Sequence, residues 1–163
     1  MQDALNAQLN MELYSAYVYA SMAAYFEHQN LNGFSNWMQL QVQEETEHGK
    51  KFYDYLNDAG GRVILATIDA PPTEFGGPVE VFEGVLEHER LVTKAIYKLV
   101  DLAVEESDHG TNSFLQWFVA EQIEEEAVAD NILQRLKLIA KSPEGLFMMD
   151  QDLATRRAEA SPQ

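Results

Sequence analysis

The sequence contains no cysteine, which excludes disulfides, iron–sulfur clusters and thiolate zinc sites and fits a reducing cytoplasm. Proline is scarce and clustered, with only five residues in the chain, and glycine falls mostly between the periodic segments. No apolar run is long enough to span a bilayer, and no basic segment followed by an apolar core opens the chain. Both absences point to a soluble cytoplasmic protein. Basic residues are also few: 11 Lys and Arg stand against 27 Asp and Glu, for a formal net charge of −16. Such a surface repels nucleic acid and anionic membranes and attracts cations.

What is present is helix-forming sequence rich in Ala, Leu, Glu and Gln. At 163 residues the chain reads as a single domain, 1–163. Four apolar stripes follow helical spacing. The first is Leu5, Leu9, Glu12, Ala16, Tyr19, Ala23 and Phe26. The second is Phe34, Met38, Gln41, Glu45, His48, Phe52, Tyr55 and Ala59. The third is Phe82, Val85, Glu89, Val92, Ile96, Leu99 and Ala103. The fourth is Leu115, Phe118, Gln122, Glu125, Ala129, Ile132, Leu136 and Ile139. Each stripe is interrupted by glutamate, and a residue at these spacings faces the core with its apolar neighbours. An unpaired carboxylate taken out of water costs several kcal/mol, so a group of them would erase most of a stability of roughly 5–15 kcal/mol. No Lys or Arg lies in the stripes near the glutamates, so a metal ion is the economical counter-charge.

The expected elements are helices over about 3–29, 31–59, 79–106 and 111–140, with a short fifth helix over about 144–157 before a polar tail. Gly60-Gly61 reads as a C-terminal glycine cap. Short turns make the first pair antiparallel, and likewise the second pair. The crossover, 60–78, is long. A helix of about 28 residues spans roughly 42 Å, and about 18 extended residues reach close to 60 Å. The connection can therefore run the length of the bundle and set the second and third helices parallel. The predicted fold is an all-α four-helix bundle with one long crossover, in which the mid-helix glutamates share a level. Within the crossover, Val63-Ile64-Leu65-Ala66-Thr67-Ile68 is apolar and β-branched. It packs either on its own bundle or against the same segment of a second subunit across a two-fold axis.

Glu45-x-x-His48 places an oxygen and a nitrogen ligand on one helix face. The run Glu121-Gln122-Ile123-Glu124-Glu125-Glu126 puts Gln122 and Glu125 on the core stripe. Glu121 and Glu124 flank it alongside Glu44, and Glu126 reads as solvated. Many oxygens with a single imidazole disfavour structural zinc and copper, and calcium would not require histidine. Iron fits best, with manganese next, as a carboxylate-bridged pair.

These residues carry a resemblance. Asn10-Met11-Glu12-Leu13-Tyr14-Ser15, Gln43-Glu44-Glu45-x-x-His48, Glu87-His88-Glu89 and Leu115-Gln116-Trp117-Phe118-Val119-Ala120-Glu121-Gln122-x-Glu124-Glu125-Glu126 are similar to the non-haem ferritins of bacteria and archaea, along almost the whole chain. The resemblance implies a first iron site of Glu12, Glu45 and His48. A second would use Glu89 and Glu125, with Glu45 bridging and Gln122 hydrogen-bonding nearby. A third would use Glu44, Glu121 and Glu124, sharing Glu125. It further implies that Fe(II) is oxidised by O2 or H2O2 and stored as ferric oxyhydroxide in a homo-oligomeric cage of 24 subunits built from two-fold dimers. Tyr19 and Trp117 would lie beside the centre as redox-capable side chains.

The departures are informative. Bacterioferritins repeat Glu-x-x-His on the fourth helix, where this chain has Gln122-x-x-Glu125. Their haem-ligating methionine would fall at Thr46, so no haem is expected. The acidic lining of the animal three-fold pore falls at Asn112 and Leu115, which argues against that route for iron. Two rivals stay open: a di-iron peroxidase or oxygenase of the rubrerythrin type, and a non-enzymatic acidic bundle that buffers divalent metals.

Overall fold

The structure, a computed structural model, describes residues 1–139 and 141–157. Ala140 and the polar tail beyond residue 157 lie outside the described residues. Five helices follow in order: α1 Gln2–His28, α2 Asn32–Asp58, α3 Pro78–Glu105, α4 His109–Ile139 and α5 Pro143–Leu153. No strand occurs among the described residues.

Three helices end in the same way, each with a different residue in the left-handed conformation. Asn30 (φ 58°), Gly60 (φ 75°) and Ser107 (φ 56°) follow α1, α2 and α3. In each case the next amide turns back onto the last turn: Leu31 N donates to Phe26 O (3.0 Å), Gly61 N to Leu56 O (2.8 Å) and Asp108 N to Ala103 O (2.8 Å). These bonds satisfy carbonyls that would otherwise lack partners and stop the helix within one residue. Asp108 then starts α4 by accepting from Thr111 N (3.0 Å), so the helix begins at His109 rather than near 111. At the other end of the chain α5 stops at Leu153, earlier than the expected 157.

The packing fixes the directions. One apolar block joins the end of α1 (Met22, Phe26), the start of α2 (Phe34, Met38), the start of α3 (Phe82, Val85) and the end of α4 (Ile132, Leu136), with Met149 and Leu153 of α5 closing it. A second block joins Leu5 and Leu9, Phe52 and Leu56, Val92 to Leu99, and Leu115 with Phe118. The starts of α2 and α3 therefore share one end of the bundle. Those two helices are parallel, α1 is antiparallel to α2, and α3 is antiparallel to α4. Each fully buried Leu or Phe contributes about 1.5–3 kcal/mol, and the two blocks clamp whatever lies between them. The stripes hold except at their tips: Ala59 is exposed and Tyr55 and Ile139 are half-buried, because these positions run past the end of the core.

The crossover is tied by its backbone and by Val63 and Phe75 near its two ends, and not by the apolar run between them. Asn6 donates to Arg62 O (3.0 Å) and accepts from Ile64 N (2.7 Å), and Asn10 donates to Thr67 O (3.3 Å). Val63 packs on the second block, but Ile64, Leu65 and Ile68 are 50%, 64% and 38% exposed. Of the two expectations for this segment, packing on its own bundle fails for these three residues. None of the described helices is long and apolar enough to cross a membrane.

The start of α2 has no cap from its own neighbourhood. Instead Asp150 of α5, 117 residues further along, accepts from Gly33 N at 2.8 Å and from Phe34 N at 3.1 Å. A carboxylate there satisfies orphan amides and complements the helix dipole. The approach requires glycine, because a Cβ on Gly33 would lie 1.6 Å from the Asp150 carbonyl oxygen. Asp150→Ala is expected to cost about 1–2 kcal/mol, lowering the thermal midpoint by a few degrees. Gly33→Ala should do more, by pushing α5 off the bundle. An unchanged midpoint in both variants, followed by circular dichroism, would contradict this role for the contact.

Candidate metal centre

Between the two apolar blocks lies a layer of buried polar side chains: Glu12, Gln41, Glu45, His48, Glu89, Gln122 and Glu125, with Tyr19 beside them. Each is delivered by the helical spacing that delivers its apolar neighbours, so all four long helices contribute to one level. Glu12, Glu45, Glu89 and Glu125 are 1%, 2%, 1% and 7% exposed.

Glu12, Glu45 and His48 form the tightest group, with one ligand atom from each all within 4.8 Å of one another. Gln8 donates to Glu12 Oε1 at 2.8 Å. The other oxygen, Glu12 Oε2, is buried without a hydrogen-bond partner, and so is Glu45 Oε2. His48 Nδ1 stands 3.5 Å from Glu45 Oε2 but makes no hydrogen bond to it. Two orphaned carboxylate oxygens facing an imidazole nitrogen are a donor set that lacks its acceptor, and a cation fits them.

Glu89 and Glu125 are held from the side. Tyr19 donates its hydroxyl to Glu89 Oε1, while Gln122 donates to Glu89 Oε2 at 3.2 Å. Gln41 donates to Glu125 Oε2 at 3.2 Å. Among the described residues, no Lys or Arg forms an ion pair with Glu12, Glu45, Glu89 or Glu125.

The electrostatics follow from this crowding. Burial pushes the Glu12 carboxyl well above its ordinary range, and nearby Glu45 pushes it further. Glu45 is raised by burial and then by Glu89 and Glu125. Burial raises Glu89 against the opposing hydrogen bonds from Tyr19 and Gln122. Glu125 is pushed up to about 8 by burial, then by Glu89 and Glu44. The Tyr19 hydroxyl is driven well above its usual value by burial and by Glu89. At neutral pH the metal-free layer therefore holds a proton at Glu125, and burial favours the protonated form of its neighbours.

The third set is arranged differently. Glu44 and Glu121 are half-buried and Glu124 is exposed. Among the described residues their carboxylates do not gather into a group as tight as the first, and Glu44 is bound by Arg156 at 3.0 Å. Glu126, expected to be solvated, is half-buried, accepts from Thr93 at 2.6 Å and lies 3.7 Å from Arg90. Leu115 is fully buried in the core, as its place on the fourth stripe predicts, which removes it from any pore lining. Trp117 lies with its ring centre 5.4 Å from that of His48. Sequence reasoning gave no role to Gln8, Gln41 or Arg156. For Gln8 the four-residue spacing to Glu12 was the available signal; Gln41, on the second stripe, reaches Glu125 across the bundle, which no local spacing signals.

Residues 2–139 match the ferritin-like domain family. The chain belongs to the ferritin family. A bacterial non-heme ferritin of Staphylococcus saprophyticus is 42% identical over 159 residues, covering 98% of this chain and 95% of the relative. One from Bacteroides fragilis is 43% identical over 156 residues, covering 96% and 97%. Among solved structures, the open-pore ferritin of the archaeon Archaeoglobus fulgidus superposes with a TM-score of 0.96 at 49% identity, covering 96% of each chain. A closed form of that ferritin engineered by site-directed mutagenesis gives 0.96 at 48% identity, covering 98% and 97%. The family resemblance of the four motifs thus extends to the fold of this ferritin from end to end.

Two outcomes follow from the stored protons. Metal binding must expel them, so Zn(II) binding measured calorimetrically in buffers of different ionisation enthalpy should release more protons per ion at pH 7 than at pH 9. The native carboxyls also hold protons that the unfolded chain, with its ordinary value near 4.5, has already lost. Metal-free stability should therefore fall as pH rises from that range through about 8. Glu12→Gln removes the cost of ionising this buried carboxyl and should stabilise the metal-free protein, the more so as pH rises, while abolishing the stabilisation that added metal gives the wild type. A lower metal-free midpoint in Glu12→Gln would contradict the unpaired state of this carboxylate.

Proposed function

We propose that this ferritin stores iron and that the buried layer is its ferroxidase centre. The observation that carries the reading is the pair of orphaned, buried carboxylate oxygens on Glu12 and Glu45 facing His48. Fe(II) is the substrate. Glu12, Glu45 and His48 hold one ion, Glu89 and Glu125 hold the second, and Glu45 lies between the two sets. Each ion gives up one electron, and O2 takes both with two protons and leaves as H2O2; with H2O2 as oxidant, the product is water. Hard carboxylate oxygens accommodate Fe(II) and favour Fe(III), and the layer's stored protons are released as the iron binds. The Tyr19 hydroxyl and the Gln122 amide fix Glu89, so the second position keeps its orientation without a histidine. That asymmetry separates the site from the rubrerythrin arrangement, which pairs a Glu-x-x-His motif on both halves of the bundle.

Storage requires an enclosed volume, and the exposed apolar residues of the subunit support a cage. Ile64, Leu65 and Ile68 on the crossover, and Leu138, Phe147 and Met148 around α5, are too apolar to be left in water together. We assign the crossover face to a two-fold dimer and the whole assembly to 24 subunits, with the ferric product mineralising inside. A chain without cysteine, strongly acidic throughout, suits a cytoplasmic cation store and neither nucleic acid nor anionic membrane as a partner.

Glu45→Ala should abolish the rapid phase of Fe(II) oxidation, because both positions lose a ligand; Glu121→Ala should leave that phase and change the iron stoichiometry and later turnover. Stopped-flow absorbance in the ferric region checks both. Equal initial rates in wild type and Glu45→Ala would remove Glu45 from the centre.

A further inference from the structure

Just past the end of α5, a cation stands where the third acidic set would take iron. Arg156 Nη2 donates to both carboxylate oxygens of Glu44, at 3.0 Å each, and Nη1 donates to Gln41 Oε1 at 2.5 Å. The guanidinium carbon lies 5.0 Å from the centre of the Trp37 ring. The Arg156 and Glu44 side chains are only 26% and 22% exposed. A cavity of about 420 Å³, lined by Trp37, Glu124, Arg135, Asp152 and Arg156 among others, opens beside them. Gln41 also donates to Glu125 at 3.2 Å, so a continuous hydrogen-bonded path runs from Arg156 through Gln41 to the buried layer.

We propose that Arg156 is a built-in competitor for the third iron position. In the metal-free protein its guanidinium holds Glu44; an ion binding through Glu44, Glu121 and Glu124 must take that carboxylate from it. This rests on the reading that those glutamates form a third site. The competition is physical and direct. The guanidinium spans Glu44 through Nη2 and Gln41 through Nη1 and stays charged at every working pH, so an ion arriving at Glu44 meets both an occupied ligand and a like charge. Aromatic stacking on Trp37 and the bond to Gln41 hold the guanidinium in place. Glu12, Glu45 and His48 have no such rival. The third position is therefore the weaker one and fills after the first, and its filling swings Arg156 away from Trp37. Arg156 acts through Glu44 and Gln41, as a positioning residue.

The test uses Zn(II), which is redox-inert, titrated calorimetrically into the assembled metal-free protein. Wild type is compared with Arg156→Ala, Arg156→Lys and Glu121→Ala. The weakest class of Zn(II) sites should disappear in Glu121→Ala. In Arg156→Ala that class should tighten by roughly fivefold or more, the scale of a lost charge-assisted pair, while the tightest class keeps its affinity. Arg156→Lys, which keeps the charge and loses the fork, should fall between, and it carries the comparison alone if the alanine variant does not assemble. In a Trp117→Phe background Trp37 is the remaining tryptophan, and filling the weak class should change its emission only when Arg156 is present. A weak class that is unchanged or weaker without Arg156 would overturn the proposal and leave the arginine as an anchor for the end of the chain. No class lost in Glu121→Ala would overturn the third site itself, and the proposal with it.

Discussion

The mutual repulsion of four buried carboxylates is the constraint on which the rest of this structure depends. Glu12, Glu45, Glu89 and Glu125 share a buried layer with one imidazole and no lysine or arginine paired to them among the described residues. A bundle stabilised only by such a layer would not hold. It holds because apolar blocks lie above and below it, with aromatic pairs such as Phe52–Phe118 at 4.4 Å on one side and Phe26–Phe34 at 5.1 Å on the other. Protonation relieves the metal-free state, and on the proposed function iron relieves the loaded one. Stability is thereby given up in the layer and recovered when the substrate binds, which keeps the site poised for cations.

The neutral polar groups around the layer show how the positions are kept in register. Gln8, Gln41 and Gln122 each donate one amide N–H to a carboxylate without adding charge. Tyr19 does the same for Glu89 while its ring packs edge-on against Trp37, 6.2 Å away. A cationic partner in any of these places would compete with the metal. The arginine that does approach, Arg156, comes from beyond α5 and reaches only the rim of the layer.

Much of this was legible in the sequence because helical periodicity reports which face is buried, whatever the residue on it. The same rule that placed Val85 and Val92 in the core placed Glu89 between them, and a long crossover left one topology. The parts that were not legible depend on contacts between distant segments. Asp150 caps α2 from 117 residues away. Arg156 reaches Glu44 across 112 positions. The Asn6 and Asn10 clamps on the crossover are fixed by packing, and no local spacing signals any of these contacts. Glu126 likewise owes its partial burial to Thr93 on another helix.

The most direct measurement is oxygen-dependent Fe(II) oxidation by the assembled metal-free protein, followed by ferric absorbance at increasing iron per subunit. A buried two-ion centre that feeds a store predicts a fast phase saturating near about two irons per subunit, or about three if the third site also fills, followed by continued soluble uptake far beyond that number. A fast phase with no further uptake would leave a di-iron enzyme without storage, and the absence of any fast phase would contradict the oxidation centre itself.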